Sequence, residues 1–145
     1  MNIEVFYHDK FRFIFEEELF NVYKKRINDI PKNIISKFSY KRVSKKDIEK
    51  TLKNKKSNSF IILLDEDGKS YSSKKFTDLI FSIPNKNILF IIGGTDGFTD
   101  TELKMSKSVL SLSKMTLTHS FSLIILLEQI YRSATIKLNH PYHRK

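Results

Sequence analysis

The sequence predicts an α/β fold built on a parallel sheet with helices on both faces. Segments rich in strand-forming residues alternate with segments of helical periodicity along the whole chain, which is the pattern of such folds. Two strand segments, 59–64 and 88–92, are largely continuous apolar runs, as expected of strands buried on both faces of the sheet. With 145 residues the chain has the length of one domain, so residues 1–145 are predicted to form a single unit.

The first half of the chain is predicted to hold two strands and two helices. Residues 3–7 are rich in strand-forming residues, and residues 33–43 are extended in character. Ser44 is placed to start a polar, lysine-rich helix that continues to about residue 56. The earlier helix ends at Pro31, with acidic residues near its start and basic residues near its end. Its predicted core stripe consists of Phe15, Leu19, Val22, Tyr23, Ile27 and Ile30.

The middle of the chain is predicted to hold two buried strands with a helix between them. The apolar run 59–64 is followed by a predicted turn at residues 65–69. A helix then begins at the serine pair 72–73, which can cap it, and ends at Pro84. The central strand of the sheet is predicted to cover residues 87–92.

The last third of the chain begins with a capping motif. Thr99 and Glu102 form a T-x-x-E capping box for a helix whose core face would include residues 109–110. Residues 111–117 alternate serine with apolar residues and predict one more short strand that runs into a loop. The final helix is predicted from about residue 118 to about residue 137.

The chain is strongly basic. Its 26 Lys and Arg residues against 16 Asp and Glu residues leave a formal net charge of +10, which attracts polyanions over long distances. Nucleic acid is therefore the leading class of partner. Residues 41–56 hold eight Lys or Arg residues and are a candidate RNA-facing surface, although a solvated helix would have the same composition.

Composition also excludes several classes of protein. The chain has no cysteine, which excludes a disulfide framework and a cysteine-based zinc site and fits a reducing compartment. No apolar run approaches the roughly 20 residues that span a bilayer, and the amino terminus has no signal-like segment. We therefore expect a cytoplasmic protein that does not bind membranes.

Glycines cluster immediately after the predicted central strand. Three of the four glycines, at positions 93, 94 and 97, lie within five residues. Such a cluster indicates positive φ angles or a close approach of the backbone to a ligand, and a tight strand-to-helix turn without a ligand is the alternative. The loop lacks the G-x-G-x-x-G and P-loop patterns, and Asp96 and Asp100 would repel a polyphosphate. Adenosine held by backbone amides suits these residues better.

Three loops are predicted to meet at one edge of the sheet. Ligands of parallel sheets bind at the carboxyl ends of the strands, because the loops that follow the strands converge there. The first loop follows Leu64, the second begins at Gly93, and the third covers residues 112–117. This edge is the predicted ligand site.

Five short motifs in residues 64–144 point to a family. They are L-D-E-D-G-K-S-Y-S-S, F-I-I-G-G-T-D-G, L-S-L-S-K-M-T-L-T-H, L-E-Q-I-Y-R and the terminal N-H-P-Y-H-R. With them the chain resembles the bacterial large-subunit ribosomal RNA methyltransferase H family of the SPOUT superfamily, which methylates the N(3) atom of a pseudouridine in 23S ribosomal RNA. The amino-terminal half resembles that family only in length and in the order of its elements.

The resemblance implies a fold, a cofactor and partners. The fold would be a parallel-sheet SPOUT fold with a carboxyl-terminal trefoil knot, and the chain would form a homodimer through the knotted region. The substrate would be ribosomal RNA, presented in the ribosome. S-adenosylmethionine would lie among the knot loops. The cofactor-binding residues that the resemblance implies are Leu64, Gly93, Leu112, Ser113, Lys114, Met115, Thr116 and Leu117.

The carboxyl-terminal tail is the candidate for substrate positioning. An aromatic residue followed by basic residues, Tyr142, His143 and Arg144, suits stacking on a base and contact with phosphate, as the resemblance also implies. A frayed, solubilising terminus is the alternative. Upstream, Glu128 and Arg132 are four residues apart on a helix and are predicted to form a structural ion pair. We expect no metal, because the histidines of the tail lack a third ligand.

Two positions depart from the family pattern. Leu123 stands where the family commonly has arginine, so a basic contact expected near the site is missing, and Asp9 stands where glycine is usual, in a predicted turn. Leu123 keeps open a second hypothesis, in which the chain is a knotted basic RNA-binding module without catalysis. A third hypothesis is a SPOUT methyltransferase with another RNA target.

Overall fold

Five strands form one parallel sheet in the computed structural model, which describes residues 1–144. The strand order is β2-β1-β4-β3-β5, so β4 lies at the centre between β1 and β3. The elements are β1 Asn2–Tyr7, α1 Ile14–Asn28, β2 Lys37–Arg42, α2 Lys45–Lys53, β3 Phe60–Ser70, α3 Ser73–Phe81, β4 Asn87–Ile92, α4 Asp100–Met105, β5 Ser108–Ser111 and α5 His119–Lys137.

Helices cover both faces of the sheet, as predicted. Successive side chains of a strand point to opposite faces. In β4, Phe90 belongs to a core cluster with residues of α1, α3 and α5, whereas Leu89 and Ile91 pack with Ile48 and Leu52 of α2. The α/β fold class is confirmed, and β4 has the predicted bounds because its apolar run is buried on both faces.

The predicted turn at residues 65–69 is wrong, because β3 continues to Ser70. Residues 65–68 leave the ladder as a bulge, and Lys69 then pairs with β5 beside Leu110. Gly68 allows this close approach, since a Cβ atom there would lie 2.8 Å from backbone atoms of Leu110. The bulge pushes the acidic residues 65–67 outward at the carboxyl edge of the sheet.

The short strand at the end of the sheet lies earlier than predicted. Helix α4 ends at Met105, and β5 covers Ser108–Ser111, so residues 109–110 belong to a strand rather than to the helix. Residues 111–117, the predicted strand, mostly form the loop after β5. Local hydrogen bonds, such as the one that the Met115 amide donates to Ser113 Oγ at 2.9 Å, replace strand pairing there.

The core stripe predicted for α1 is only partly correct. Ile27 and Ile30 are buried, but Phe15, Leu19 and Val22 are 60%, 43% and 43% exposed. The helix instead buries Glu16, Phe20 and Ile27, and the Oε1 atom of Glu16 accepts the backbone N–H groups of residues 12–13. An apolar stripe is thereby left on the surface of the subunit.

Late in its sequence, the chain crosses the edge of the sheet at which the strands have their carboxyl ends. From β5, at one edge, residues 112–118 return past the ends of β3 and β4, and Thr118 caps α5 by accepting the amide of Phe121. Helix α5 then packs against α1, α3 and β4. The three predicted strand-end loops are therefore brought together at one place.

Candidate active site

A cavity of about 330 Å³ lies at the carboxyl edge of the sheet. Its walls come from the bulge of β3, from the loops after β4 and β5 and from the start of α5, at the sheet edge that the strand-end argument predicted. Seven of the eight residues predicted to bind a cofactor line it, namely Leu64, Gly93, Leu112, Ser113, Met115, Thr116 and Leu117.

Lys114 is the predicted cofactor residue that does not line the cavity. Its Nζ atom instead donates a hydrogen bond to the carbonyl oxygen of Gly68 at 3.4 Å. Two residues later in the same loop, Thr116 Oγ1 donates a hydrogen bond to Glu66 Oε2 at 2.6 Å. Together these contacts fasten the loop after β5 to the bulge of β3, so Lys114 holds the wall of the cavity in place.

The clustered glycines shape the wall formed by the loop after β4. A Cβ atom at Gly93 would lie 3.2 Å from the ring of Phe98, and one at Gly94 would lie 2.5 Å from His8. Gly97 has φ of +67°, and its amide donates to the carbonyl of Gly94 at 2.8 Å, which closes a turn. Each glycine therefore has a structural requirement: the first two admit neighbouring rings, and the third allows the turn.

Acidic side chains surround the cavity although the chain as a whole is basic. Asp65, Glu66 and Asp67 line it from the bulge of β3, and Asp96 lines it from the glycine loop. This clustering of carboxylates disfavours phosphate groups and stabilises a cationic ligand. The sequence analysis placed the segment after Leu64 at this edge but gave its carboxylates no role, although a run of acidic residues directly after a buried strand was the signal for one.

Asp9 contacts two residues of the cavity wall, although the sequence analysis placed it only in a turn. Its Oδ2 atom lies 3.5 Å from Nε2 of His119 and accepts a hydrogen bond from Thr95 Oγ1 at 3.4 Å. His119 begins α5, and Thr95 belongs to the glycine loop. Asp9 therefore connects the segment after β1 to both sides of the cavity.

Leu123 belongs to the core rather than to the site. It is 1% exposed and packs in the main hydrophobic cluster beneath the sheet. The leucine at this position completes the core of the subunit, so it is not a sign of a lost contact in the cavity. The hypothesis of a non-catalytic module loses its best evidence here.

The tail turns back along α5 at a helix-capping motif. Asn139 has φ of +53°, its amide donates to Ile136, and the His140 amide donates to the Thr135 carbonyl at 2.9 Å. These are the hydrogen bonds of a Schellman motif with asparagine in the left-handed position. The motif ends α5 before Pro141 and directs Tyr142 back onto the helix.

Tyr142 is held by the predicted ion pair. Arg132 Nη2 lies 2.6 Å from Glu128 Oε1, and the Tyr142 hydroxyl donates to the same oxygen at 2.9 Å. Arg132 Nη1 also lies 3.3 Å from Nδ1 of His143. Burial, followed by hydrogen bonds with Tyr23 and Glu128, raises the pKa of Tyr142 above its usual range, and the bond to Glu128 raises the pKa of Arg132. Tyr142 is therefore a neutral hydrogen-bond donor.

The tail and the cavity of one subunit lie at different points along α5. His119, at the start of the helix, lines the cavity, whereas Tyr142 is bound to Glu128 nine residues later. At 1.5 Å of rise per residue, this corresponds to about 14 Å along the helix axis. The predicted positioning residues Tyr142, His143 and Arg144 are thus not brought together with the cofactor residues of the same chain.

Comparisons with known proteins show the family of this chain. A family model described as "Predicted SPOUT methyltransferase" matches residues 1–143. A Dictyoglomus thermophilum protein named ribosomal RNA large subunit methyltransferase H is 42% identical over 99% of both chains. The chain belongs to this methyltransferase family. A protein of the same name from Clostridium botulinum is 35% identical and is aligned over 99% of this chain and 100% of its own.

Solved structures show the same fold at low sequence identity. A Legionella pneumophila protein solved with bound S-adenosylmethionine has a TM-score of 0.50 and 14% identity, over 92% of this chain and 66% of that one. A SpoU methyltransferase from Streptomyces viridochromogenes has a TM-score of 0.50 and 12% identity, over 94% of this chain and 60% of that one. The SPOUT-type parallel-sheet fold of this methyltransferase is therefore shared with these proteins.

Two further properties concern the part of the chain that the structure describes. Within residues 1–144, no three His, Cys, Asp or Glu side chains are grouped so that they could hold a metal ion. None of the helices described has the length and hydropathy that crossing a membrane requires.

Proposed function

We propose that this methyltransferase transfers a methyl group from S-adenosylmethionine to the N(3) atom of a pseudouridine in 23S ribosomal RNA. We further propose that it acts as a homodimer, with each site formed by the cavity of one subunit and the tail of its partner. The observation that supports the reaction best is the cavity at three strand ends, in a member of a ribosomal RNA methyltransferase family. We expect the reaction in the cytoplasm, because the substrate is ribosomal RNA.

The residues of the cavity fit S-adenosylmethionine. Its volume of about 330 Å³ lies in the range of small-molecule sites, and backbone amides of the strand-end loops are available to adenosine. The carboxylates of Asp65, Glu66, Asp67 and Asp96 favour the positive charge of a sulfonium group. We propose that Leu64, Gly93 and residues 112–117 hold the cofactor, with Lys114 acting through the loop that it fastens.

The chemistry requires positioning more than it requires a nucleophile on the enzyme. When bound, the cofactor supplies an electrophilic methyl group on a sulfonium. The protein must hold the acceptor nitrogen in line with that methyl group, exclude water and allow the acceptor proton to leave, so orientation supplies much of the acceleration. Tyr142 suits orientation because its hydroxyl is fixed on Glu128 and an aromatic ring can stack on a base, whereas Arg144 is exposed and suits contact with phosphate.

A site shared between subunits follows from the separation of tail and cavity. The tail lies about 14 Å along α5 from the cavity of its own chain, so it cannot orient a base there without unfolding. In a dimer, the tail of one subunit can lie beside the cavity of the other. We therefore assign Tyr142, His143 and Arg144 to substrate positioning in the partner's site.

The surface for dimerisation is proposed on α1 and the start of α5. Helix α5 uses most of its apolar residues inside the subunit, where Leu126, Leu127 and Ile130 are fully buried. Phe121 is 46% exposed, and α1, which packs against α5, exposes the stripe of Phe15, Leu19 and Val22. Exposed apolar stripes of this kind mark association surfaces. We also propose a trefoil knot where residues 112–118 return across the sheet.

Mass spectrometry of ribosomal RNA tests the reaction. Cells that lack this protein should lose one methyl group from a pseudouridine of 23S RNA, and a plasmid copy should restore it. Purified enzyme should methylate RNA from the deletion strain. Methylation of assembled large subunits, compared with methylation of free RNA, will show which form is the substrate. A methyl group on another nucleotide would refute the assigned target, and an unchanged RNA would refute the reaction.

Mixed dimers test the shared site. One chain lacks residues 139–145 and the other has Gly93→Val, so each homodimer is expected to be inactive. A heterodimer of the two should regain one working site, made from the cavity of the shortened chain and the tail of its partner. If differently tagged heterodimers are isolated and have no activity above that of the homodimers, the shared site is wrong.

A further inference from the structure

Helix α2 presents the densest basic surface of the chain. Residues 41–56 contain eight Lys or Arg residues and two acidic residues, so this segment holds a net +6 of the total formal charge of +10. All eight basic residues are exposed, namely Lys41, Arg42, Lys45, Lys46, Lys50, Lys53, Lys55 and Lys56. More than half of the formal net charge is therefore carried by this one segment.

The packing of α2 fixes which side of the helix faces outward. Its buried residues, Ile48 and Leu52, are one helical turn apart and pack on β3 and β4. Lys46, Lys50 and Lys53 follow at spacings of four and three residues, so they form a single stripe on the surface about 10 Å long. Like charges at these spacings repel one another and destabilise an isolated helix. A polyanion bound along the stripe would relieve that repulsion.

An ion pair connects this surface to the cavity. Lys45 Nζ, in the first turn of α2, lies 3.1 Å from Oδ2 of Asp96, which lines the cavity from the glycine loop. The first turn of α2 therefore lies at the rim of the cavity, and the stripe of Lys46, Lys50 and Lys53 leads away from it. Because α2 covers the opposite face of the sheet from α1 and α5, it stays accessible in the proposed dimer.

We infer that α2 is the surface on which the enzyme holds the phosphate backbone of ribosomal RNA, beside the nucleotide that enters the cavity. This inference rests on the proposed function and adds the surface that engages the substrate. Phosphate contacts by lysines position a nucleic acid without reading its sequence, and they release counterions. The acidic cavity disfavours phosphate. The phosphate backbone of the RNA is therefore held on the basic helix, and the base enters the cavity.

Charge removal on the stripe tests the inference. The variant Lys46→Gln/Lys50→Gln/Lys53→Gln keeps good helix formers at exposed positions. Binding to large ribosomal subunits from the deletion strain is measured by filter binding between 50 and 200 mM KCl. We expect at least about a tenfold weaker affinity at the lower salt concentrations and a slope of log affinity against log salt that is shallower by about 2. Calorimetry with S-adenosylmethionine should give the wild-type affinity, which shows that the variant is folded.

Two matched variants are the controls. One removes the same amount of charge elsewhere on the surface, and the other changes the same side chains without removing their charge. Lys74→Gln/Lys75→Gln/Lys86→Gln removes the same number of exposed lysines away from α2 and should bind as the wild type. Lys46→Arg/Lys50→Arg/Lys53→Arg keeps the charge and should also bind as the wild type. Equal weakening by both glutamine variants, or none by the α2 variant, overturns the inference. Failure of the wild-type enzyme to bind or methylate subunits would instead refute the proposed function.

Discussion

The hydroxyl group of Tyr142 donates a hydrogen bond to Oε1 of Glu128 at 2.9 Å, and the same oxygen accepts from Arg132. One carboxylate thus holds the tail and completes an ion pair on α5. The side chains of the pair are only 23% and 17% exposed, so solvent screens them weakly. The position of the tail is decided by this cluster.

Glu128→Ala should release the tail. The change leaves Arg132 and Tyr142 without their shared partner, and hydrogen bonds to charged groups contribute about 1.5–3 kcal/mol. We expect a loss of about 2 kcal/mol in the free energy of unfolding in urea, together with a strong loss of RNA methylation. Tyr142→Phe removes only one donor and should cost about 1 kcal/mol. Wild-type activity in Glu128→Ala would show that the position of the tail does not matter.

Tyr142 should resist ionisation in the folded enzyme. Its pKa is raised above the usual value of about 10, chiefly by burial and then by hydrogen bonds with Tyr23 and Glu128. The neutral phenol is favoured by folding, so its contribution to stability is present below about pH 10 and is lost as the pH rises through the folded pKa. The difference between the alkaline absorbance titrations of the wild type and of Tyr142→Phe should show that Tyr142 ionises with a midpoint above 10. A midpoint near 10 would indicate an unpacked tail.

Gly93→Val should abolish cofactor binding in a protein that still folds. A Cβ atom there would lie 3.2–3.4 Å from the ring of Phe98, and the two added methyl groups would push that ring into the cavity. We expect at least about a hundredfold loss of S-adenosylmethionine affinity by calorimetry, equivalent to about 3 kcal/mol.

Gly97→Ala is the matched control in the same loop. No atom lies within 4 Å of a Cβ at this position, but φ is +67°. The substitution should therefore cost about 1 kcal/mol of stability through backbone strain and change cofactor affinity little. Equal affinities of the Gly93→Val and wild-type proteins would remove the glycine loop from the binding site.

Val22→Asp should weaken the proposed dimer. This residue is 43% exposed on the apolar stripe of α1, and a carboxylate buried without a partner between two subunits is unfavourable. Sedimentation should show at least about a tenfold higher dimer dissociation constant, which is about 1.4 kcal/mol. Asn21→Asp adds the same charge at the neighbouring exposed position and should leave the dimer intact. Equal dissociation of both variants would place the interface elsewhere.

Sequence patterns predicted the elements whose local signals and burial agree. Strand β4 has its predicted bounds because every position of its apolar run is buried. Ser44, Ser72, Thr99 and Thr118 cap helices because their hydroxyl groups accept amides within one turn. The convergence of three loops followed from parallel topology alone, and the family resemblance named seven of the residues that line the cavity.

Tertiary structure decided the features that depend on contacts distant in sequence. Periodicity placed Phe15 in the core, but α1 packs on the sheet and on α5 through Phe20 and Ile27, which leaves Phe15 60% exposed. Residues 65–67 reach the cavity because β3 continues beyond them to pair with β5, which Gly68 permits. Local patterns do not contain this information, because pairing energies are set by a partner that is far away along the chain.

Residue order alone establishes the α/β class, the glycine loop, the basic α2 segment and the resemblance of the carboxyl-terminal half to a methyltransferase family. Tertiary packing sets the burial of Leu123, the contact of Asp9 with the cavity wall and the position of the tail on Glu128. The two groups differ in how far apart along the chain the interacting residues are. Capping and apolar runs act within a few residues, whereas these three contacts join segments that are brought together only by the packing of α5 on the sheet and by the turn at Asn139.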